Sequence, residues 1–145
     1  MKKAKDFFTS EEKLKIENAI KQAELNTSGE IRVHIANNCK KDVLDCAADV
    51  FAMLKMHKTK LRNGVLFYLS INDRKFAVLG DAGINSKVPD NFWDEIKATV
   101  LSHFKKEEYA TGLEKGILMA GEQLKKYFPY QSDDINELSD EISIE

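Results

Sequence analysis

Cysteine is nearly absent: the 145 residues hold two, Cys39 and Cys46. Two are too few for a disulfide scaffold or a four-cysteine zinc site. Their spacing is wider than the C-x-x-C of a redox pair, so both are expected as reduced thiols, buried or idle. Uncharged apolar runs long enough to cross a bilayer, about 18 residues, are missing too. Met1-Lys2-Lys3-Ala4-Lys5-Asp6 leads into a polar, helix-like stretch rather than the apolar core of a secretory signal. A soluble, cytoplasmic protein with no membrane insertion is therefore expected. Neither G-x-S-x-G nor H-E-x-x-H occurs, which excludes the commonest hydrolase elbow and zincin arrangements. Charge of one sign does not dominate either. With 22 Lys+Arg against 24 Asp+Glu the net charge is -2, so no global basic field points to nucleic acid.

The near-neutrality is a cancellation. Six acids and no Lys or Arg lie between Pro129 and Glu145, which leaves +4 on residues 1–128. The expected organisation is one α/β domain over 1–128, followed by an acidic, loosely ordered C-terminal tail over 129–145.

Periodicity predicts the elements. Thr9 and Glu12 form a capping-box pattern before a helix that carries Ile16, Ala19, Ile20 and Ala23 to about Glu24. Asn26-Thr27-Ser28-Gly29 breaks it. Glu30 to Asn37 alternates, with Ile31, Val33 and Ile35 on one face and Glu30, Arg32 and His34 on the other. Asp42 caps a helix with an apolar stripe of Leu44, Ala47, Ala48, Phe51 and Leu54. After the basic loop Lys55–Arg62, Val65–Leu69 is apolar on both faces, as a central strand covered on both sides requires. Asn72-Asp73-Arg74 turns the chain into Lys75–Leu79, a hairpin. Two helices follow, one on Trp93, Ile96, Val100 and Phe104, the other on Leu113, Ile117, Ala120, Leu124 and Phe128. Gly112, Gly116 and Ala120 share a face of the last helix, which implies close packing there. The economical fold is a single mixed β-sheet of three to four strands flanked by about four helices.

Chemistry concentrates in few places. Gly80-Asp81-Ala82-Gly83-Ile84 joins a strand to a helix, where sheet-and-helix proteins usually bind ligands, and its glycines suit a close backbone approach or a tight turn. The Lys and hydroxyl of a P-loop are missing after it. Asp81 with Asp90, Asp94 or Glu95 is a candidate set for a hard cation such as Ca²⁺ or Mg²⁺, although acids in a helix's first turn also serve its dipole. The polar face Glu30-Arg32-His34 reads either as the floor of a groove with His34 as acid/base, or as a solvated edge. The basic loop is a solvated segment or a dock for an acidic partner, the tail included. His57 and His103 have no partner at ligand spacing.

Taken in order, Glu24, Thr27-Ser28-Gly29-Glu30-Ile31-Arg32-Val33, Arg62-Asn63-Gly64-Val65-Leu66, Asp73-Arg74, Gly80-Asp81-Ala82-Gly83-Ile84 and Phe104…Tyr109…Gly112-Leu113 resemble the TPM-domain family. The resemblance spans about residues 6 to 128 and is closest to the short bacterial branch. It implies an α/β sandwich, Rossmann-like in the loose sense. It also implies an acid-phosphatase-like hydrolase acting on a small phosphoester, with calcium in a loop-built acidic site. Other members act in receptor or complex assembly, which implies a non-catalytic interaction module with a protein partner. Carried onto this chain, the resemblance makes Asp81 the catalytic and metal candidate. Asp94 and Asp73 become further metal candidates, and Gly80, Gly83 and Asn63 ligand-binding ones. One departure is plain: where many members have Glu after the glycine element, this chain has Asn85.

Overall fold

In this computed structural model, which describes residues 2–130 and 136–145, the capping box forms as its sequence pattern demands. The Thr9 hydroxyl accepts from the Glu12 amide at 3.1 Å, and the Glu12 carboxylate accepts from the Thr9 amide at 2.9 Å. A short helix α1 (Ala4–Phe7) precedes that cap, and α2 (Ser10–Ala23) follows it. A 3-10 turn at Glu24–Asn26 leads to β1 (Glu30–Ala36). The Asp42 side chain accepts from the Leu44 amide and starts α3 (Val43–Met53). After the basic loop come β2 (Gly64–Ser70), β3 (Lys75–Gly80), the short α4 (Ala82–Asn85), α5 (Asp94–Phe104), α6 (Tyr109–Tyr127) and β4 (Ser143–Ile144).

The strands form one mixed sheet in the order β3-β2-β1-β4. β1 and β2 are parallel, as the crossover through α3 requires, and β2 and β3 are the antiparallel hairpin. Each face has its own core. Ile31, Val33, Val65, Phe67 and Val78 meet α2, α5 and α6; Leu66, Tyr68 and Ala77 meet α3 through Ala47 and Phe51. The alternation read along β1 and the apolar run of β2 therefore place the two layers as expected. Close packing at Gly116 is also present: a Cβ there would lie 2.3 Å from Val100 Cγ2, so the Val100 side chain of α5 fits against α6 where Gly116 has none.

One expectation is corrected. Cys39 and Cys46 are not reduced thiols but a disulfide. The turn from β1 into α3 brings their Cα atoms to 6.2 Å, within bridging range, a reversal that linear spacing does not reveal. The C-terminal segment, expected to be loosely ordered, docks in part. Ser143 and Ile144 pair with His34 and Ile35 as a parallel edge strand, and Ile142 and Ile144 pack against the larger core. The expected tail acids Asp133 and Asp134 lie outside the described residues.

Candidate functional site

Strand direction sorts the predicted residues. Glu30 pairs with Gly64 and Val65 with Gly80, so the starts of β1 and β2 and the end of β3 share one edge of the sheet. Asn63 and Asp81 both lie there: the Asp81 amide donates to the Gly64 carbonyl at 3.0 Å, and the Glu30 amide to the Asn63 carbonyl at 3.2 Å. The buried Asn63 side chain donates to the Ser28 carbonyl at 3.0 Å and so ties β2 to the turn before β1. Because β3 runs antiparallel, its end marks the amino ends of the parallel pair. The glycine loop is therefore opposite the strand-end crevice in which sheet-and-helix proteins usually bind ligands.

The loop itself is filled by the protein's own backbone. A Cβ on Gly83 would stand 2.1 Å from the Leu61 carbonyl oxygen and 2.6 Å from that of Arg62. Gly80 faces the Trp93 ring in the same way, at 2.8 Å. The close approach that both glycines permit is to neighbouring chain segments.

Asp81 is buried, and both its oxygens are engaged. Arg62 Nε donates to Oδ2 and Arg62 Nη2 to Oδ1, each at 2.8 Å, while Oδ1 also accepts from the Ala82 amide at 2.7 Å and caps α4. The carboxylate holds the guanidinium fully charged, with a pKa raised above its ordinary value by that hydrogen bond. Arg62 reaches it from a left-handed backbone conformation, φ 52°.

The other metal candidates stand elsewhere. Asp73 is in the hairpin turn, where it accepts from the Ser70 hydroxyl and, at 2.8 Å, from the Cys39 amide. Burial alone would raise its pKa, but these hydrogen bonds prevail and hold it low. The length of β3 separates it from Asp81, roughly 20 Å at about 3.3 Å per residue. Asp94 lines a groove of about 620 Å³ with Phe92, Glu95, Glu122 and Tyr127, to which Asp81 does not contribute. Asp81, Asp73 and Asp94 thus do not converge as the donor set of one Ca²⁺ or Mg²⁺, and Asp81 already has a guanidinium where a cation would sit. Among the described residues no group of three or more His, Cys, Asp or Glu side chains is placed to hold a metal ion.

A second polar constellation lies on β1. The face Glu30-Arg32-His34 is neither covered by a helix nor solvated, because α3 lies over β2 and β3 while the C-terminal segment covers β1. Glu30 Oε1 accepts from the Leu138 amide at 2.6 Å, and Arg32 Nη2 donates to the Glu141 carbonyl at 3.3 Å. His34 Nδ1 lies 2.9 Å from Ser143 Oγ, and its ring stacks on Tyr68. Glu24 accepts from the Ile31 amide at 2.8 Å, and the Asp140 carboxyl lies near enough to act on its protonation. Burial pushes Glu24 up to about 9, with Asp140 adding to the rise, and pushes Glu30 up to about 7. It also lowers the His34 pKa, which keeps the ring neutral. The alternation of β1 marked Glu30, Arg32 and His34 as one face. Glu24 and Asp140 carried no signal for joining them, since their meeting depends on where a distant segment docks.

An antiparallel hairpin added to a parallel pair, layered by α3 on one face and α2, α5 and α6 on the other, defines an α/β sandwich with its polar turns at one end of the strands. The TPM domain model matches residues 1–123, and the chain belongs to the TPM-domain family. It is similar to BA42 from the psychrophilic bacterium Bizionia argentinensis, whose NMR structure superposes with a TM-score of 0.91 at 49% identity, over 99% of each chain. It is also similar in fold to the N-terminal domain of a protein from P. gingivalis, whose solution NMR structure is known. There the TM-score is 0.68 at 18% identity, over 85% of this chain and 80% of the other. No curated protein matches. Among the described residues no helix is long and apolar enough to cross a membrane.

Proposed function

We propose that this TPM domain binds a phosphomonoester, with the Arg62 guanidinium meeting the phosphate and Asp81 acting as the positioning residue behind it. The Arg62–Asp81 fork carries this reading. It engages Nε and Nη2, leaves Nη1 without a partner among the described residues, and holds a side chain that is half exposed beside a buried carboxylate. A guanidinium already oriented loses less freedom on meeting a planar pair of oxyanion oxygens. Lys55, Lys58 and Lys60 on the same loop add to the local positive potential.

Hydrolysis, which the family resemblance implies, is then direct attack of water on phosphorus. A new P–O bond forms, the ester P–O bond breaks, the attacking water gives up one proton to solvent, and the leaving oxygen takes one from solvent. Arg62 offsets the charge on the phosphate oxygens. No step is assigned to Ca²⁺ or Mg²⁺, because the three candidate carboxylates do not meet.

The test is titration of phenyl phosphate into the ¹⁵N-labelled chain, with hydrolysis of a generic phosphate ester followed in parallel, with and without Ca²⁺ or Mg²⁺. Binding should perturb the Arg62 and Asp81 signals and weaken by roughly tenfold or more in Arg62→Ala, the loss of one charge-assisted contact. No perturbation at Arg62 overturns the binding reading. Hydrolysis equal to buffer in wild type and in Asp81→Ala overturns the enzymatic part. A second reading, a non-catalytic interaction module, is supported by a separate observation, the chain segment seated on β1.

A further inference from the structure

We infer that the polar face of β1 is a groove for an extended partner peptide running parallel to that strand, and that residues 136–145 sit in it as a weak internal substitute. The inference deepens the interaction-module reading and uses no part of the Arg62–Asp81 site.

The walls of the groove come from the body of the fold and not from the segment that fills it. With residues 136–145 seated, the polar Glu30 and His34 are 4% and 2% exposed, beside the apolar Leu66 and Tyr68 on the same face of the sheet. Strand, 3-10 turn and helix each present a polar group along one line: Glu30, Arg32 and His34 from β1, Glu24 from the turn, and Glu17 from α2. Such groups hold main-chain atoms of an added strand, with side-chain pockets supplying selectivity.

The present occupant fits poorly. Its ladder is two residues long, and none of residues 136–145 is buried. Arg32 Nε and His34 Nε2 are buried without hydrogen-bond partners among the described residues. Asp140 stands close enough to Glu24 and Glu30 for its charge to disfavour theirs, two residues from Leu138, whose amide Glu30 holds at 2.6 Å. Other charged groups at this segment are Glu17 at the Ile142 amide and Arg32 at the Glu141 carbonyl. The contact to the basic loop is Glu137 at the Lys60 main-chain amide, 3.2 Å.

That misfit specifies the partner. A Lys or Arg at the position of Asp140 would place a cation between Glu24 and Glu30. Apolar residues at the positions of Leu138, Ile142 and Ile144 would keep the existing packing. An acid at the position of Glu145 would retain the contacts to the Asn37 amides and approach His34 Nε2, now 4.0 Å from Glu145. The occupant is thus an extended peptide of alternating apolar residues, with a basic residue near its middle and an acid at its end.

The experiment uses the full chain with Ile144→Ser, which loosens the internal segment. The probe is a fluorescent synthetic peptide of residues 136–145 carrying Asp140→Lys, compared with the same peptide retaining Asp140. The Lys peptide should bind at least about tenfold more tightly, and Glu24→Gln with Glu30→Gln should erase the difference. In the otherwise wild-type chain, Asp140→Lys should raise amide-exchange protection of Leu138 and Glu145 roughly tenfold. Equal affinity for the two peptides overturns the proposal. So does no binding to a chain whose NMR spectrum shows a folded body and a released segment. Dimerisation by exchanged segments, without peptide binding, would make a second copy the occupant and also overturn it. If Ile144→Ser does not fold, the exchange measurement on Asp140→Lys decides: unchanged protection is a negative result.

Discussion

Arg62 and Asp81 meet as a fork, two 2.8 Å hydrogen bonds from Nε and Nη2 to separate carboxylate oxygens. The buried partner is the acid and the half-exposed one is the base. Removing Arg62 therefore leaves a buried carboxylate that retains its cap on α4, whereas removing Asp81 leaves a cation that water can solvate. In a double-mutant cycle by urea unfolding, Arg62→Ala and Asp81→Ala should show a favourable coupling that shrinks as salt is added, because water reaches the guanidinium. Arg62→Lys should not restore the coupling, because an ammonium cannot fork. Strict additivity of the two losses would show that the pair contributes nothing.

The acids beneath the C-terminal segment make stability fall as pH rises. Glu24 and Glu30 titrate near 9 and 7 in the folded protein, both above their ordinary 4.5. The folded state therefore binds more protons than the unfolded state between these values. The contribution is fully present below about pH 4.5 and is lost as pH climbs through 7 and then 9. Melting temperature followed from pH 5 to 9 should decline, and Glu24→Gln should flatten the upper part of the curve. A rise over that window would contradict the assignment.

His34 acts in the opposite direction. Burial lowers its pKa, with the Glu145 carboxylate opposing and the Arg32 charge assisting. Folding thus favours the neutral ring, and this contribution is lost as pH falls below the imidazole's ordinary 6.5. His34→Gln should reduce acid sensitivity. NMR titration of the imidazole would reveal the lowered value directly.

The disulfide gives a redox expectation. Closing the short loop between Cys39 and Cys46 should stabilise the protein by roughly 2 kcal/mol through loss of unfolded-state freedom. Reductant should lower the melting temperature of the wild type and leave a Cys39→Ser/Cys46→Ser variant unaffected. Alkylation under denaturing conditions without reductant should find no free thiol.

Two glycines should respond differently to alanine. At Gly116 the new methyl meets Val100 Cγ2, a side chain, so the cost of about 1–3 kcal/mol should shrink when Val100→Ala is combined with it. At Gly83 it meets the carbonyls of Leu61 and Arg62, and no side-chain truncation can make room. Thermal denaturation of the single and paired variants separates the two cases.

The local patterns in this chain were self-sufficient. Thr9 with Glu12, Asp42 before Val43, the alternation of β1 and the doubly apolar β2 each settle their element through contacts only a few residues apart. The resemblance carried in Thr27–Val33, Arg62–Leu66 and Gly80–Ile84 was equally legible, because those turns are set by short-range backbone geometry.

What linear order could not decide was every relationship that depends on where remote segments land. The antiparallel run of β3 set Asp81 at the opposite end of the strand from Asp73 and next to Arg62, so a candidate metal ligand became the support of a guanidinium. The turn into α3 joined two cysteines that spacing alone separates. Most of all, the acidity of the last residues was visible as charge. Only docking on the open edge of β1, where α3 leaves polar side chains uncovered, brought that segment's amide, carbonyl and hydroxyl groups onto Glu30, Arg32 and His34 and its Asp140 near Glu24. Local sequence determines helices and strands because their hydrogen bonds close within or between regular segments. Burial, pairing of charges and displacement of water belong to the packed chain as a whole, and tertiary structure alone decided them here.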